Sequence, residues 1–142
     1  DIIGLRKEDE GEYADRLRKL INDLGLADFV FIKPQISYLE MSEKYRAYEA
    51  IVNVTYPYTY DKVSLEAMAC GLIPITPTPS YRDLMSEYGM FPKENSAEEV
   101  SNALECMIRL DVQERLEIGK KMRQHVDDKH SLDRLIDQIV AY

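Results

Sequence analysis

The chain has 142 residues, of which 45% are hydrophobic and 31% are charged, values typical of a globular protein with a single core. Its formal net charge of −8 argues against a nucleic-acid-binding surface or a polybasic membrane surface, although it does not exclude an anionic small ligand. The sequence has no apolar run long enough to span a membrane, no signal peptide, and no disulfide or metal-ligand spacing around Cys70 and Cys106. These features predict a cytoplasmic protein that binds neither nucleic acid nor a metal.

Strand and helix signals alternate along the chain. Apolar runs predict strands at residues 1–5, 29–32, 50–54 and 72–76, with a small edge strand at 89–91. Apolar periodicity and polar caps predict helices at 12–24, after Ser37, at 61–71, at 80–88, after Ser96, at 112–126 and at 132–142, with a break near 127–130. Strands separated by helices imply right-handed crossovers and a parallel sheet. We expect one domain, residues 1–142, on which the C-terminal helices of residues 112–142 pack.

Residues 61–71 form the most informative stretch, because an apolar helix here carries one carboxylate, Glu66. A carboxylate in such a setting needs a hydrogen-bond partner. Lys62 lies one turn before Glu66, and the small residues Ala69 and Cys70 lie one turn after it on the same face. This arrangement predicts a helix that makes room for a polar ligand. The alternative is a Lys62–Glu66 pair on the protein surface.

The same helix begins beyond the carboxyl end of the third predicted strand, where open parallel sheets bind their ligands. Backbone N–H groups at a helix N-terminus attract phosphate, and Lys62 would add a positive charge there. Glu66 can accept hydrogen bonds from vicinal hydroxyls such as those of a ribose. Together these positions favour a nucleotide ligand. Asp61 is interpreted first as a plain N-cap, rather than as a catalytic residue.

Two further features lie at the same edge of the predicted sheet. Lys33 follows the second strand and can face an anion, although a lysine there is usually solvated. The loop after the third strand carries Tyr56, Tyr58 and Tyr60, which can form an aromatic wall for a sugar or a base, or simply cover the core. No nucleophile–base arrangement is evident, so the catalytic residues are unknown.

Residues 65–75, LEAMACGLIPI, resemble the signature of family-4 (group 1) GT-B glycosyltransferases. The resemblance continues in order through residues 1–4, 24–32, 45–54 and 115–126, and so covers nearly the whole chain. It implies the C-terminal half of a GT-B fold, a Rossmann-like doubly wound parallel sheet with helices on both faces. It also implies a nucleotide-sugar donor whose ribose is held by Glu66 and whose phosphates lie at the N-terminus of that helix. The intact enzyme would transfer a sugar to a hydroxyl acceptor with retention, without a metal or a cofactor.

The chain departs from the family pattern in two ways. The usual first Glu of the signature, eight positions before Glu66, is Tyr58 here, so the contact with the donor sugar and the identity of that sugar stay open. The strand and loop that carry the family's diphosphate-clamping Arg and Lys are absent, as is the N-terminal acceptor domain. We therefore expect a truncated donor-binding half, beginning at Asp1 and inactive alone, with two unpaired strand edges that favour self-association. Such a fragment would close up imperfectly, borrow a strand from another chain, or belong with a separate N-terminal chain.

These arguments give a candidate set of donor-binding residues. The set comprises Asp61, Lys62, Ser64 and Glu66 of the signature helix, Tyr58, Thr59 and Tyr60 of the preceding loop, and Lys33. The donor would be linked to UDP or GDP, and the intact enzyme would be cytoplasmic, with peripheral attachment to a membrane left open. Two alternatives remain: a non-catalytic interaction module with a degenerate nucleotide site, and another nucleotide-sugar enzyme of the same architecture, such as a 2-epimerase.

Overall fold

The computed structural model describes residues 1–5, 11–55 and 61–141. Its strands are β1 (Ile2–Leu5), β2 (Ile32–Pro34), β3 (Ala50–Val52) and β4 (Ile73–Ile75). Its α-helices are α1 (Glu12–Asp23), α2 (Tyr38–Tyr45), α3 (Lys62–Ala69), α4 (Arg82–Ser86), α5 (Ala97–Arg109), α6 (Val112–His130) and α7 (Leu132–Val140). The chain divides into two compact units, Asp1–Met41 and Ser42–Tyr142. Whether residues 1–142 act as the single domain expected from the sequence stays a prediction.

The first unit is built on a parallel pair of strands. Ile2 of β1 lies opposite Ile32 of β2, and the Ile2 N–H donates to the Phe31 carbonyl at 2.8 Å. The second strand begins at Ile32 rather than at the predicted residue 29. The N–H groups of Phe29 and Val30 both donate to the Leu26 carbonyl, at 3.0 and 2.9 Å, so this segment closes a turn and cannot join the ladder.

The second unit is built on β3 and β4, which also run parallel, with Ala50 opposite Ile73 and Val52 opposite Ile75. The N–H of Ile73 donates to the Glu49 carbonyl at 3.0 Å, so the backbone nitrogen of Pro74 points away from β3. Proline is tolerated in this strand because the ladder with β3 needs no donor at that position. All three residues of β4 are buried, and α3, α5 and α6 all contact this strand.

The core of the second unit joins β4 to the helices around it. Its buried members are Met68, Ile73, Ile75, Tyr81, Met85, Met90, Ala103, Met107, Ile118 and Met122. Parallel strands with helices packed on them confirm the mixed α/β, Rossmann-like class expected for half of a GT-B fold. Across the described ranges, no helix is long and apolar enough to cross a membrane.

Three local predictions are wrong. Residues 89–91 form no strand, because Gly89 adopts a φ of +69° in a turn and the Met90 N–H bonds to the Met85 carbonyl. Residues 80–88 divide into a 3₁₀ helix, Pro79–Tyr81, and the short α4, without a side-chain cap. The break expected near residues 127–130 lies at Ser131, whose side chain caps α7.

Candidate functional site

The N-terminus of α3 is anchored to the carboxyl end of β3. Asp61 is the N-cap, and its Oδ1 accepts hydrogen bonds from the Ser64 N–H at 2.8 Å and from Asn53 Nδ2 at 2.9 Å. Asn53 directly follows β3, and its own Oδ1 accepts from the backbone N–H and the hydroxyl of Thr55. The N-cap interpretation of Asp61 is confirmed. Asn53, which the sequence argument missed, fixes the cap to the sheet.

Lys62 and Glu66 lie one turn apart on α3, and their charges interact. Lys62 Nζ is 3.5 Å from Glu66 Oε1, a separation that makes an ion pair. The side chain of Lys62 is 77% exposed, whereas that of Glu66 is only 29% exposed. The pair is therefore neither fully solvated nor fully buried. The Lys62 amine extends into solvent, whereas the protein largely covers the Glu66 carboxylate.

The first two turns of α3 hold several shielded polar atoms. Asp61 Oδ2, Ser64 Oγ and Glu66 Oε1 are covered from solvent, and among the described residues none of these three atoms has a hydrogen-bond partner. Ser64 is completely buried. Buried polar atoms in proteins are normally hydrogen-bonded, because an unpaired one costs about 1–3 kcal/mol. Within the described residues, this end of the helix therefore has acceptor atoms that no hydrogen bond uses.

Tyr45, at the C-terminal end of α2, adds a phenol to this region. Burial raises the pKa of its hydroxyl, and the nearby acidic groups of Glu66, Cys70 and Asp61 raise this pKa further. The hydroxyl therefore stays protonated and neutral across the physiological range. The sequence argument did not assign Tyr45 to the site.

The other predicted site residues are placed differently. Lys33 lies in β2 of the first unit, with its Nζ 5.3 Å from the centre of the Phe31 ring, so its predicted role at the donor stays a prediction. Tyr58, Thr59 and Tyr60 lie outside the described residues. Within the described ranges, no group of three or more His, Cys, Asp or Glu residues is arranged to hold a metal ion.

Known proteins that are similar to this chain indicate its family. A family model described as "Glycosyl transferase-like" matches residues 12–141. The D-inositol 3-phosphate glycosyltransferase of Frankia alni is 40% identical over 60 residues, which are 42% of this chain and 15% of that enzyme. D-inositol 3-phosphate glycosyltransferase 1 of Catenulispora acidiphila is 37% identical over 57 residues, 40% of this chain and 14% of that enzyme. No solved structure matches the chain significantly.

The aligned segments span only a small part of these relatives, about one seventh of their length. The family model, in contrast, extends over nearly all of the chain, from the start of α1 to residue 141, and includes the α3 signature. The chain belongs to the glycosyltransferases, in family 4 of the GT-B type.

Proposed function

We propose that the N-terminal half of α3 binds the nucleotide diphosphate part of a nucleotide-sugar donor. The observation that carries this proposal is the largely covered carboxylate of Glu66, whose Oε1 is shielded and, among the described residues, makes an ion pair with Lys62 at 3.5 Å but no hydrogen bond. Vicinal hydroxyls of a ribose would donate to such a carboxylate, and hydrogen bonds to a charged group are worth about 1.5–3 kcal/mol each.

The diphosphate would lie one turn closer to the start of α3. The first N–H groups of a helix have no intrahelical partner and attract anions. The exposed amine of Lys62 stands beside them and can turn from Glu66 to a phosphate oxygen. The Asp61 carboxylate opposes an anion here, but its Oδ1 is already held by two donors, the Ser64 N–H and Asn53 Nδ2. Thr59 and Tyr60 would complete the phosphate site from the preceding loop.

For the whole protein we propose transfer of a hexosyl group from a UDP- or GDP-linked donor to a hydroxyl acceptor, with retention and without a metal. Positive charges and helix amides would stabilise the diphosphate leaving group. The acceptor would bind to a further domain, without which this chain would be inactive. The protein would be cytoplasmic, with peripheral membrane attachment as a further option. Strand β3, in which Val52 is 47% exposed, would offer an edge for a strand of another chain.

A non-catalytic interaction module is the second candidate, and two observations favour it. Tyr58 replaces the first Glu of the family signature. The apolar side chains of α7 are also exposed, with Leu132 at 69% and Val140 at 77%. In that case the α3 site would be a remnant, and the protein would act by binding another protein.

Calorimetric titration with UDP and GDP separates the two candidates. Glu66→Gln keeps the size of the side chain but removes its charge, and we expect it to weaken binding of the preferred nucleotide roughly ten- to a hundredfold. Glu105→Gln is the matched control, because Glu105 is an exposed helical glutamate paired with Arg109 on α5. No binding of either nucleotide by the folded wild-type protein would favour the interaction module.

A further inference from the structure

A cavity of about 290 Å³ lies at the other end of α3, between its C-terminus and the first half of α6. Four cationic side chains line it: Arg46, Arg115, Lys120 and Arg123. Glu49 is the acidic residue of the lining. The lining therefore carries more positive than negative side chains, although the chain as a whole has a net charge of −8.

The shape of the cavity follows from two glycines. Arg115, Gly119 and Arg123 are four residues apart and share one face of α6. Gly119 is buried and lies against the carbonyl of Gly71, which ends α3. The Gly71 carbonyl occupies the place that a side chain at position 119 would take, and an arginine lies one turn away on each side of it.

The cations of the lining are held to different degrees. Arg115 is 18% exposed, and it donates to Glu49 at 3.1 Å and to the Leu110 carbonyl at 2.5 Å. It therefore neutralises the acidic residue of the lining. Lys120 pairs with Glu117 at 2.7 Å, but both side chains are solvated, and such pairs are worth about 0–1 kcal/mol.

The two remaining arginines are held even less firmly. Arg123 is 4.0 Å from Asp127, and both of these side chains are mostly exposed. Among the residues that the structure describes, Arg46 has no ion pair. Three cations can therefore reorient toward a ligand in the cavity without breaking a strong contact.

The C-terminus of α3 explains part of the positive charge of the cavity lining, because cations near a helix C-terminus are stabilising by about 0.3–1 kcal/mol. Arg115 already lies close by, and the same helix terminus disfavours a bound anion, so the other cations of the lining must offset that cost. Additional cations on a concave surface repel one another. An anion bound among them would relieve that repulsion.

We propose that this cavity is a binding site for a phosphomonoester. Such a group carries about −1.5 to −2 charges at neutral pH and has three strong acceptor oxygens. Arginine guanidinium groups match those oxygens in bidentate geometry. The eight residues of α3 separate the cavity from Asp61 by about 12 Å, so this phosphate site does not overlap the proposed donor site.

The test is an NMR titration with glycerol 3-phosphate, followed through the backbone amides of Gly71 and Gly119. We expect these amides to shift, and the apparent affinity to fall as the ionic strength is raised. In the double variant Arg46→Gln/Arg123→Gln we expect the Kd to rise at least about tenfold, equivalent to about 1.4 kcal/mol. Arg109→Gln is the matched control, because Arg109 is an exposed, paired arginine on α5.

Three further measurements complete the test. If the double variant is unfolded by circular dichroism, Arg46→Gln alone replaces it, since Arg46 is exposed. Glu66→Gln should leave the shifts at Gly71 and Gly119 unchanged, which separates this site from the donor site. Phosphatidylcholine vesicles with and without phosphatidic acid distinguish a lipid phosphate from a soluble one.

Vesicle binding that requires both phosphatidic acid and the two arginines supports a lipid source of the phosphate. Binding of glycerol 3-phosphate without vesicle binding supports a soluble source. Unshifted amides at Gly71 and Gly119, or equal affinity in the folded arginine variant and the wild type, would overturn the proposal.

Discussion

The backbone of Gly119 in α6 lies against the carbonyl group of Gly71, at the end of α3. A Cβ atom on Gly119 would overlap the Gly71 carbonyl oxygen and would lie 3.3 Å from the carbonyl carbon. Both helices pack on β4, so neither backbone can move away without disturbing that packing. The contact therefore requires glycine at position 119.

Gly119→Ala should lower the free energy of unfolding by about 1–3 kcal/mol, because overpacking forces the two backbones apart. Urea denaturation measures this change. Gln124→Ala, at an exposed position of the same helix, should change it by no more than about 0.5 kcal/mol. Equal stability of Gly119→Ala and the wild type would mean that α6 is not seated on Gly71.

Asp61→Ala should destabilise the second unit by about 1–2 kcal/mol, because it removes the N-cap of α3 and leaves Asn53 Nδ2 without its acceptor. Asp61→Asn retains an accepting oxygen and should cost less than half as much. Urea denaturation of both variants gives the comparison. If asparagine and alanine are equally destabilising, the charge of Asp61 matters more than its hydrogen bonds.

Lys62→Met should change the free energy of unfolding by only about 0.5 kcal/mol or less. The reason is that the lysine side chain of the Lys62–Glu66 ion pair is mostly exposed to solvent. The same variant should weaken nucleotide diphosphate binding about tenfold if the amine turns to a phosphate. Calorimetry and urea denaturation together decide between the two interpretations of the pair. A clear loss of stability with unchanged nucleotide affinity would support a purely structural pair.

His125 and His130 predict a pH dependence of stability. Burial lowers the pKa of both imidazoles, and in His125 the charges of His130 and Lys129 lower that pKa further. The folded protein thus binds these protons more weakly than the unfolded chain, whose histidine pKa is about 6.5. The stability contributed by the neutral rings is present above that pH and is lost as the pH falls below it.

The measurement is the urea midpoint at pH 7.5 and pH 5 for the wild type and for His125→Gln/His130→Gln. Carboxylates titrate in both proteins, so the difference between the two proteins isolates the histidines. We expect the wild type to lose more stability on acidification than the variant. An equal or smaller loss in the wild type would contradict the account.

Local signals were sufficient to predict α3. Its N-cap at Asp61 is a residue next to the helix end and is found. Just beyond the other end, Gly71 has the positive φ that is typical of a helix stop. The start of β2 was misplaced because Phe29 and Val30, apolar residues typical of a strand, form a turn on the Leu26 carbonyl. Apolar composition alone cannot distinguish a strand from such a turn.

Part of the candidate site could not be predicted, because its contacts join distant segments. Asn53 reaches Asp61 across eight residues, and Tyr45 lies near Glu66 although the two belong to different helices. One signal was available for Asn53, since a polar amide directly after an apolar strand often orders the following turn. No local pattern distinguishes Tyr45 from a core tyrosine.

The central claim, that Glu66 holds a ribose, is tested most directly by a double cycle between the protein and its ligand. Calorimetry would compare the preferred nucleotide diphosphate with its 2′,3′-dideoxy form, in the wild type and in Glu66→Gln. In the wild type, removing the hydroxyls should weaken binding roughly ten- to a hundredfold. In Glu66→Gln the same removal should have much less effect, because the charged acceptor is already gone. An equal loss in both proteins would place the ribose elsewhere and contradict the account.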